Sequence, residues 1–143
     1  MEQPFSCPIF HHTSLPSTQD EARELVSQGT FPFVVMAGQQ TAGRGRSGRK
    51  WVSLPDNLQC TLAFESALDL KHIGQYAFLV AVAAQQTMAA YAVEHITLKW
   101  PNDVLLNGQK IAGILIEAEQ VNPSQRVLLV GMGVNITSAP DGA

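Results

Sequence analysis

Hydrophobic positions along the chain fall into short runs and two longer periodic segments, separated by turn-forming residues. The apolar run 33–37 lies between a proline and a glycine and predicts a buried strand. Asn107-Gly108 is typical of a two-residue hairpin turn, because both positions can require positive φ. Strands are therefore predicted at 9–11, 33–37, 57–64, 96–99, 104–106, 110–117 and 126–136.

Two helices are predicted between these strands. Ser17 precedes a segment with acidic residues at its start and Gly29 at its end, which is the pattern of a capped helix. The segment 71–91 is rich in alanine, which allows close approach to a sheet. Three glutamines and a threonine interrupt its apolar stretch, so it predicts a buried helix and no membrane span. The predicted fold class is α+β, with a mixed, largely antiparallel sheet covered by helices.

Composition is that of an ordinary globular protein. The 143 residues are 45% hydrophobic and 15% charged, enough for one packed domain but not comfortably for two. The net charge of -3 disfavours broad contact with nucleic acid. Cys7 and Cys60 show no CxxC or metal-ligand spacing, and the first ten residues show no signal peptide. These features predict free thiols and a cytoplasmic protein.

Positive charge is concentrated in the segment 43–51, with the sequence GRGRSGRKW. It holds four of the nine basic residues within seven positions. Glycines let backbone amides approach an anion, and arginines bind phosphate or carboxylate through two parallel hydrogen bonds. The segment therefore suits the phosphates of a nucleotide or an acyl-adenylate. Taken alone, it fits a solvated arginine-rich loop equally well.

Two nucleotide-binding motifs share the glycine spacing of this segment but differ in context. The dinucleotide motif GxGxxG must open a helix, whereas a proline and turn residues follow here. The P-loop requires a Lys-Ser/Thr pair after its last glycine, and Arg49-Lys50 stands there instead. Neither motif explains the segment.

Six segments, in one order along the chain, resemble the catalytic domain of biotin protein ligases. They are Ser17-Thr18-Gln19, Gln39-Gln40-Thr41-Ala42, GRGRSGRKW at 43–51, KWPNDV at 99–104, KIAGILIE at 110–117 and GMGVNI at 131–136. The resemblance implies the fold of biotin and lipoate protein ligases, which is similar to class II aminoacyl-tRNA synthetases. It also implies an enzyme that activates biotin with ATP to biotinyl-5'-AMP. The biotin is then transferred to a lysine of a biotin carboxyl carrier protein domain, in acetyl-CoA carboxylase or a related carboxylase.

The same resemblance implies a set of site residues. Those expected to bind biotin are Ser17, Thr18, Gln19, Gln40, Arg44, Gly45, Arg46, Lys110, Gly113, Gly131 and Gly133. Those expected at ATP or the adenylate are Gly43, Arg44, Arg46, Arg49, Trp51, Lys110 and Asn135. Attack of a carboxylate on the α-phosphate accumulates negative charge, which Arg46 and Lys110 would stabilise as catalytic cations. Mg²⁺ would accompany ATP, held mainly by phosphate oxygens and water, and no dedicated metal-ligand set is expected.

Several of these residues also fit structural roles. Asp103 is assigned to positioning or deprotonating the carrier lysine or to binding the metal, but a turn explains an aspartate there equally well. Trp100 is expected in the core. Strand ends and tight strand packing would also account for Lys110, Asn135, Gly131 and Gly133.

The chain departs from the family pattern in three respects. Gln19 stands where asparagine commonly follows Ser-Thr, which leaves its role open. Only sixteen residues precede Ser17, too few for a winged helix, so DNA binding is not expected. The sequence ends at Ala143, before the further helices and the small β-barrel of the family. Residues 1–143 are therefore expected to form an incomplete catalytic domain with weaker use of ATP.

Two alternative functions remain open. One is a biotin-binding remnant without catalysis. The other is a lipoate or octanoate transferase of the same fold, which is disfavoured because the arginine-glycine motif of those relatives is not visible here. The resemblance is also compatible with a homodimer.

Overall fold

The computed structural model describes residues 6–67, 69–91 and 94–141. The strands are β1 Ile9–Leu15, β2 Phe33–Gln40, β3 Leu58–Glu65, β4 Ile96–Lys99, β5 Asp103–Leu106, β6 Gln109–Asn122 and β7 Gln125–Val134. The helices are α1 Thr18–Ser27 and α2 Ile73–Ala90, with short 3-10 turns at Arg46–Gly48 and Leu70–His72. All of the predicted elements are present, although β1, β2 and β6 extend three or more residues beyond the predicted ends and β7 stops two residues short.

The strands form one seven-stranded sheet in the order β1-β2-β3-β7-β6-β5-β4. β1 and β2 are parallel, and every other neighbouring pair is antiparallel. The prediction of a mixed, largely antiparallel sheet is therefore confirmed. Asn107 and Gly108 have φ of 50° and 81°, as the predicted hairpin turn between β5 and β6 requires.

Helix α1 begins where the sequence predicts. The Ser17 hydroxyl accepts a hydrogen bond from the backbone N–H of Asp20, at 3.4 Å, and caps the first turn. The helix then buries Ala22 and Val26 against one face of the sheet, beside the fully buried ring of Phe33. This packing places the helix N-terminus, with Ser17 and Thr18, next to the middle of the sheet.

Helix α2 covers the opposite face. Side chains alternate along β7, so that Leu129 belongs to the α1 core while Val134 belongs to the α2 core. α2 contacts the sheet through a stripe that buries Ala81 and Ala84. The prediction of a buried helix therefore holds for this stripe alone, because a helix that packs on one sheet face buries only the side that contacts it. Large apolar side chains on the outer side are exposed: Phe78, Leu79 and Val82. In the part of the chain described, no helix is long and apolar enough to cross a membrane.

Both cysteines are free thiols, as predicted. Burial raises the pKa of the Cys60 thiol to about 11. The thiolate is the reactive form, and at pH 8 it is therefore a very small fraction of Cys60. We expect iodoacetamide to alkylate Cys60 at pH 8 roughly 100-fold more slowly than a free thiol of ordinary pKa. Peptide mass spectrometry would measure this rate, and alkylation as fast as that of glutathione would contradict it.

Candidate active site

A cleft of about 490 Å³ lies on the sheet face that carries α1. Its walls are the N-terminus of α1, the segment 43–51 and the segment 99–103, and its floor is formed by β6 and β7. The predicted site residues that line it are Ser17, Thr18, Gln19, Gln40, Arg44, Gly45, Arg46, Arg49, Trp51, Asp103, Lys110, Gly113, Gly131 and Gly133. Six separate sequence segments thus contribute to one concave surface.

Gly43 and Asn135, which the resemblance also places at the nucleotide, do not line the cleft. Gly43 lies at the base of the loop, beside the backbone of Trp51. A Cβ at this position would be 2.8 Å from the carbonyl oxygen of Trp51. The Asn135 side chain accepts a hydrogen bond from Asn57, at 3.4 Å, and its backbone N–H donates to Ile111. Both residues support the walls of the cleft, and their contact with a nucleotide stays a prediction.

Lys110 reaches the cleft because of a bulge between β5 and β6. Val104 pairs with Ala112 but Leu105 pairs with Lys110, which leaves Ile111 as an extra residue in β6. Strict alternation from Ala112 would direct Lys110 towards the α2 core. The extra residue reverses the alternation and turns Lys110 to the cleft face.

The Lys110 ammonium is paired within the site. Its Nζ lies 2.8 Å from Oδ1 of Asp103 and 5.6 Å from the centre of the Trp51 ring. Both partners are about two-thirds or more buried, so the pair is better shielded from solvent than the surface ion pairs of the chain. The structure therefore gives Asp103 a definite partner, and its side chain orients the lysine over the floor of the cleft.

Glycines form the floor beneath Trp51. A Cβ at Gly133 would overlap the indole ring, and one at Gly113 would lie 2.9 Å from it. A Cβ at Gly131 would lie 2.6 Å from the amide oxygen of Gln19. These three positions need glycine because another group lies directly on the backbone. Gly131 and Gly133 were interpreted either as sites of tight packing or as sites where a ligand approaches the backbone. The structure is compatible with both interpretations, since each requires the same bare backbone surface.

A buried polar network closes the inner end of the cleft. The backbone N–H and the hydroxyl of Thr18 donate to Oε1 of Gln40, at 2.8 and 3.1 Å. The Thr61 hydroxyl lies 2.9 Å from the Thr18 hydroxyl and 3.0 Å from Oε1 of Gln19. Gln19 also donates to the carbonyl of Leu129, at 3.2 Å. The longer amide at position 19 thus links α1 to β3 and β7, which explains how glutamine can replace asparagine.

Two residues of this network, Gln59 and Thr61, were not predicted. Gln59 is 1% exposed; its Oε1 accepts from the Trp51 indole at 2.8 Å, and its Nε2 has no hydrogen-bond partner among the described residues. Such an orphaned donor is costly unless a ligand or water satisfies it. The signal in the sequence is the polar residues at alternate positions 59 and 61 of an apolar strand, which pair with Gly133 and Gly131 and face the α1 side of the sheet.

Positive charge dominates the cleft. Its lining contains six cationic side chains and one carboxylate, that of Asp103, although the whole chain carries a net charge of -3. The cationic residues are Arg44, Arg46, Arg49, Lys50, Lys99 and Lys110. A concave surface with this imbalance attracts an anionic ligand.

Trp100 lies at the rim of this cleft and is 73% exposed. The prediction that Trp100 lies in the core is therefore wrong. The residue follows the end of β4 in a turn, where no second layer formed by the described residues covers its ring. An exposed indole at the mouth of a cationic cleft is available for stacking with a ligand or partner.

The fold and the site define an α+β protein with a glycine-floored cleft whose lining is mainly cationic. A family model described as the biotin/lipoate A/B protein ligase family matches residues 10–135, and the chain belongs to that family. The resemblance to biotin protein ligases and the predicted fold are both confirmed.

Individual relatives agree with this assignment. A biotin--[acetyl-CoA-carboxylase] ligase of Paracoccus denitrificans is 39% identical over 127 residues, covering 87% of this chain and 53% of that protein. The bifunctional ligase/repressor BirA of Bacillus subtilis is 36% identical, covering 93% of this chain and 42% of that protein. The biotin protein ligase of Leishmania major in complex with biotinyl-5-AMP superimposes with a TM-score of 0.78 at 30% identity, covering 96% of this chain and 60% of that one. The chain therefore spans about half the length of the curated relatives that it matches.

Proposed function

We propose that this cleft binds biotin and ATP, joins them as biotinyl-5'-AMP and transfers biotin to a lysine of a carrier-protein domain. The observation that carries the proposal is the convergence of Arg46 and Lys110 on one cleft of suitable size. A vitamin joined to AMP is long and anionic, which matches the glycine floor and the cationic walls. The carrier is proposed to be the biotin carboxyl carrier domain of a carboxylase, and the reaction to take place in the cytoplasm.

In this proposal the ring system of biotin lies at the polar end of the cleft, near Thr18 and Gln40. Its tail runs over the glycine floor towards Lys110. The Trp51 indole now lies on Gly113 and Gly133, so it must leave them before the tail can occupy the same surface. Once displaced, the indole would pack against the nucleotide, as the family resemblance implies.

The proposed chemistry has two steps. A carboxylate oxygen of biotin attacks the α-phosphorus of ATP, the bond to the β-phosphate breaks, and pyrophosphate leaves. Arg46 and Lys110 would stabilise the charge that accumulates in this transition state. The carrier amine then attacks the acyl carbon, AMP leaves with the bonding electrons, and the amine loses a proton to give an amide.

Magnesium would enter with ATP. Among the described residues, no group of three or more histidines, cysteines, aspartates and glutamates could hold a metal ion. Asp103 is the carboxylate of the cleft lining, and Lys110 already pairs with it. We therefore assign the ion to phosphate oxygens and water, and we assign Asp103 to orienting Lys110.

The test is to incubate the chain with labelled ATP, biotin and a carrier domain. We expect biotinyl-adenylate and a biotinylated carrier. Binding of biotin in calorimetry without any adenylate would support the remnant and contradict the ligase. Transfer of lipoate or octanoate in preference to biotin would assign the chain to the other branch of the family.

Replacing Arg46 with glutamine is expected to release more adenylate from the cleft. One charged hydrogen bond to phosphate is worth about 1.5–3 kcal/mol, so adenylate should dissociate roughly 10- to 100-fold faster. The ratio of free adenylate to biotinylated carrier measures this. Lys71→Gln is the matched control, since Lys71 is exposed and pairs with Asp69 outside the cleft. An unchanged ratio in the Arg46 variant would count against the phosphate contact.

A further inference from the structure

A cluster of five charged residues ties the cationic loop to the rest of the fold. It consists of Asp20 and Arg23 on α1, Arg44 in the loop, and Glu117 and Glu119 on β6; we call it the anchor cluster. Arg44 lies 2.5 Å from Asp20 and 3.4 Å from Glu117. The loop is therefore held from two sides by carboxylates that are distant in sequence.

Arg23 organises the acids of this cluster. Its guanidinium contacts Asp20 at 2.9 Å, Glu117 at 2.8 Å and Glu119 at 2.7 Å. The hydrogen bond to Glu119, with the charges of the three acids, raises the pKa of Arg23. Arg23 forms ion pairs with all three acids and so fixes their carboxylates. Two of these carboxylates, those of Asp20 and Glu117, also bind Arg44. Three acids and two arginines leave the cluster with one net negative charge.

This pairing distinguishes Arg44 from the other cations of the loop. Its guanidinium is neutralised by Asp20 and Glu117, whereas Arg46 and Arg49 have no ion pair in the part of the chain described. The charge available to a phosphate therefore lies at the tip of the loop and not at its base.

Backbone bonds make the base and the tip one unit. Arg44 and Lys50 form an antiparallel bridge, and the N–H of Gly45 donates to the carbonyl of Arg49 at 2.7 Å. The N–H of Trp51 donates to Gly43 at 2.9 Å. Residues 46–49 thus form a short closed tip, and any shift of Arg44 moves that tip relative to the cleft.

We propose that Asp20 and Glu117 are positioning residues that hold Arg46 over the cleft through Arg44. Arg44 then contributes to binding by fixing the loop, through its side-chain ion pairs and through its backbone bridge to Lys50. Its guanidinium is not the phosphate contact. The inference rests on the proposed function for its catalytic consequence, but the anchor itself is a property of the chain without ligand.

Limited proteolysis tests the anchor without any substrate. The variant Asp20→Asn/Glu117→Gln removes both acceptor charges and keeps the side-chain shapes. We expect trypsin to cleave after Arg46 and Arg49 about 5- to 10-fold faster than in the parent chain, because cleavage follows the population of the open loop. Glu24→Gln, at an exposed carboxylate of α1 that bonds only to Gln28 among the described side chains, is the control and should not change the rate. A melting temperature close to that of the parent shows that the loop alone has opened, and unchanged cleavage in such a folded variant overturns the proposal.

A double-mutant cycle tests the catalytic consequence. Asp20→Asn and Arg44→Gln should each raise the ratio of free adenylate to biotinylated carrier, and the double variant should be no worse than either. Asp20→Asn should likewise add little in an Arg46→Gln background, because the proposal places the effect of Asp20 on the position of Arg46. Additive effects of Asp20→Asn and Arg44→Gln would overturn the positioning role. If no adenylate forms at all, the proposed function fails, while the proteolysis still decides whether the anchor exists.

Discussion

Replacing Lys110 with alanine is expected to lower the rate of biotinyl-adenylate formation by about 10²- to 10³-fold. The ammonium lies over the floor of the cleft, held by Asp103 at 2.8 Å, at the place where the biotin carboxylate would meet the α-phosphate. Removing it takes away charge stabilisation that is largest in the transition state. Exchange of labelled pyrophosphate into ATP measures this step separately from transfer to the carrier.

The change should affect chemistry much more than folding. Asp103 is 23% exposed and lines the open cleft, so water can solvate its carboxylate once the lysine side chain is removed. Lys71→Ala provides a control that removes an exposed lysine remote from the cleft. Adenylate formation by the Lys110 variant within about threefold of the parent rate would exclude the lysine from the reaction.

Replacing Gly133 with valine is expected to abolish measurable binding of biotin. The new side chain would occupy the space of the Trp51 indole and would remain on the floor where the biotin tail must lie. Overpacking of this kind costs about 1–3 kcal/mol in stability, and loss of the bare backbone surface should weaken binding at least 100-fold. Calorimetry with biotin gives the affinity.

Tryptophan fluorescence reports the displacement of Trp51 directly. In a Trp100→Phe background Trp51 is the remaining indole, and its emission should shift to longer wavelength when valine stands at position 133. Gly74→Ala is the control, because a Cβ at that helical glycine meets no atom within 4 Å. Parent affinity for biotin in the Gly133 variant would mean that the ligand does not use this surface.

The exposed side of α2 follows from the way in which this helix packs on the sheet. An alanine-rich stripe lets the helix lie close to β6, and this close approach leaves its larger side chains outside. The apolar character of the segment predicted a buried helix but not which side of it is covered. Burial is decided by how many layers surround an element, and that number is not a local property of sequence.

Local rules predicted the elements of this fold well. The serine cap of α1, the Asn-Gly turn and the short apolar runs each depend on residues within one turn or one strand. The motif segments also indicated which residues belong to one site, since most of them line one cleft. Trp100 was misplaced because hydrophobic character does not reveal whether a second layer lies above a turn.

By itself, the sequence determined the helices and strands, the hairpin and the family to which the chain belongs, because these depend on short-range patterns and on residue types in a fixed order. Only the tertiary structure decided the direction of Lys110, the contact of Trp51 with the glycine floor and the pairing of Arg44. Lys110 faces the cleft because β6 has one residue more than β5 in their pairing, which alternation within one strand cannot reveal. Arg44 meets Glu117, 73 positions away, because the loop, α1 and β6 are brought together by packing.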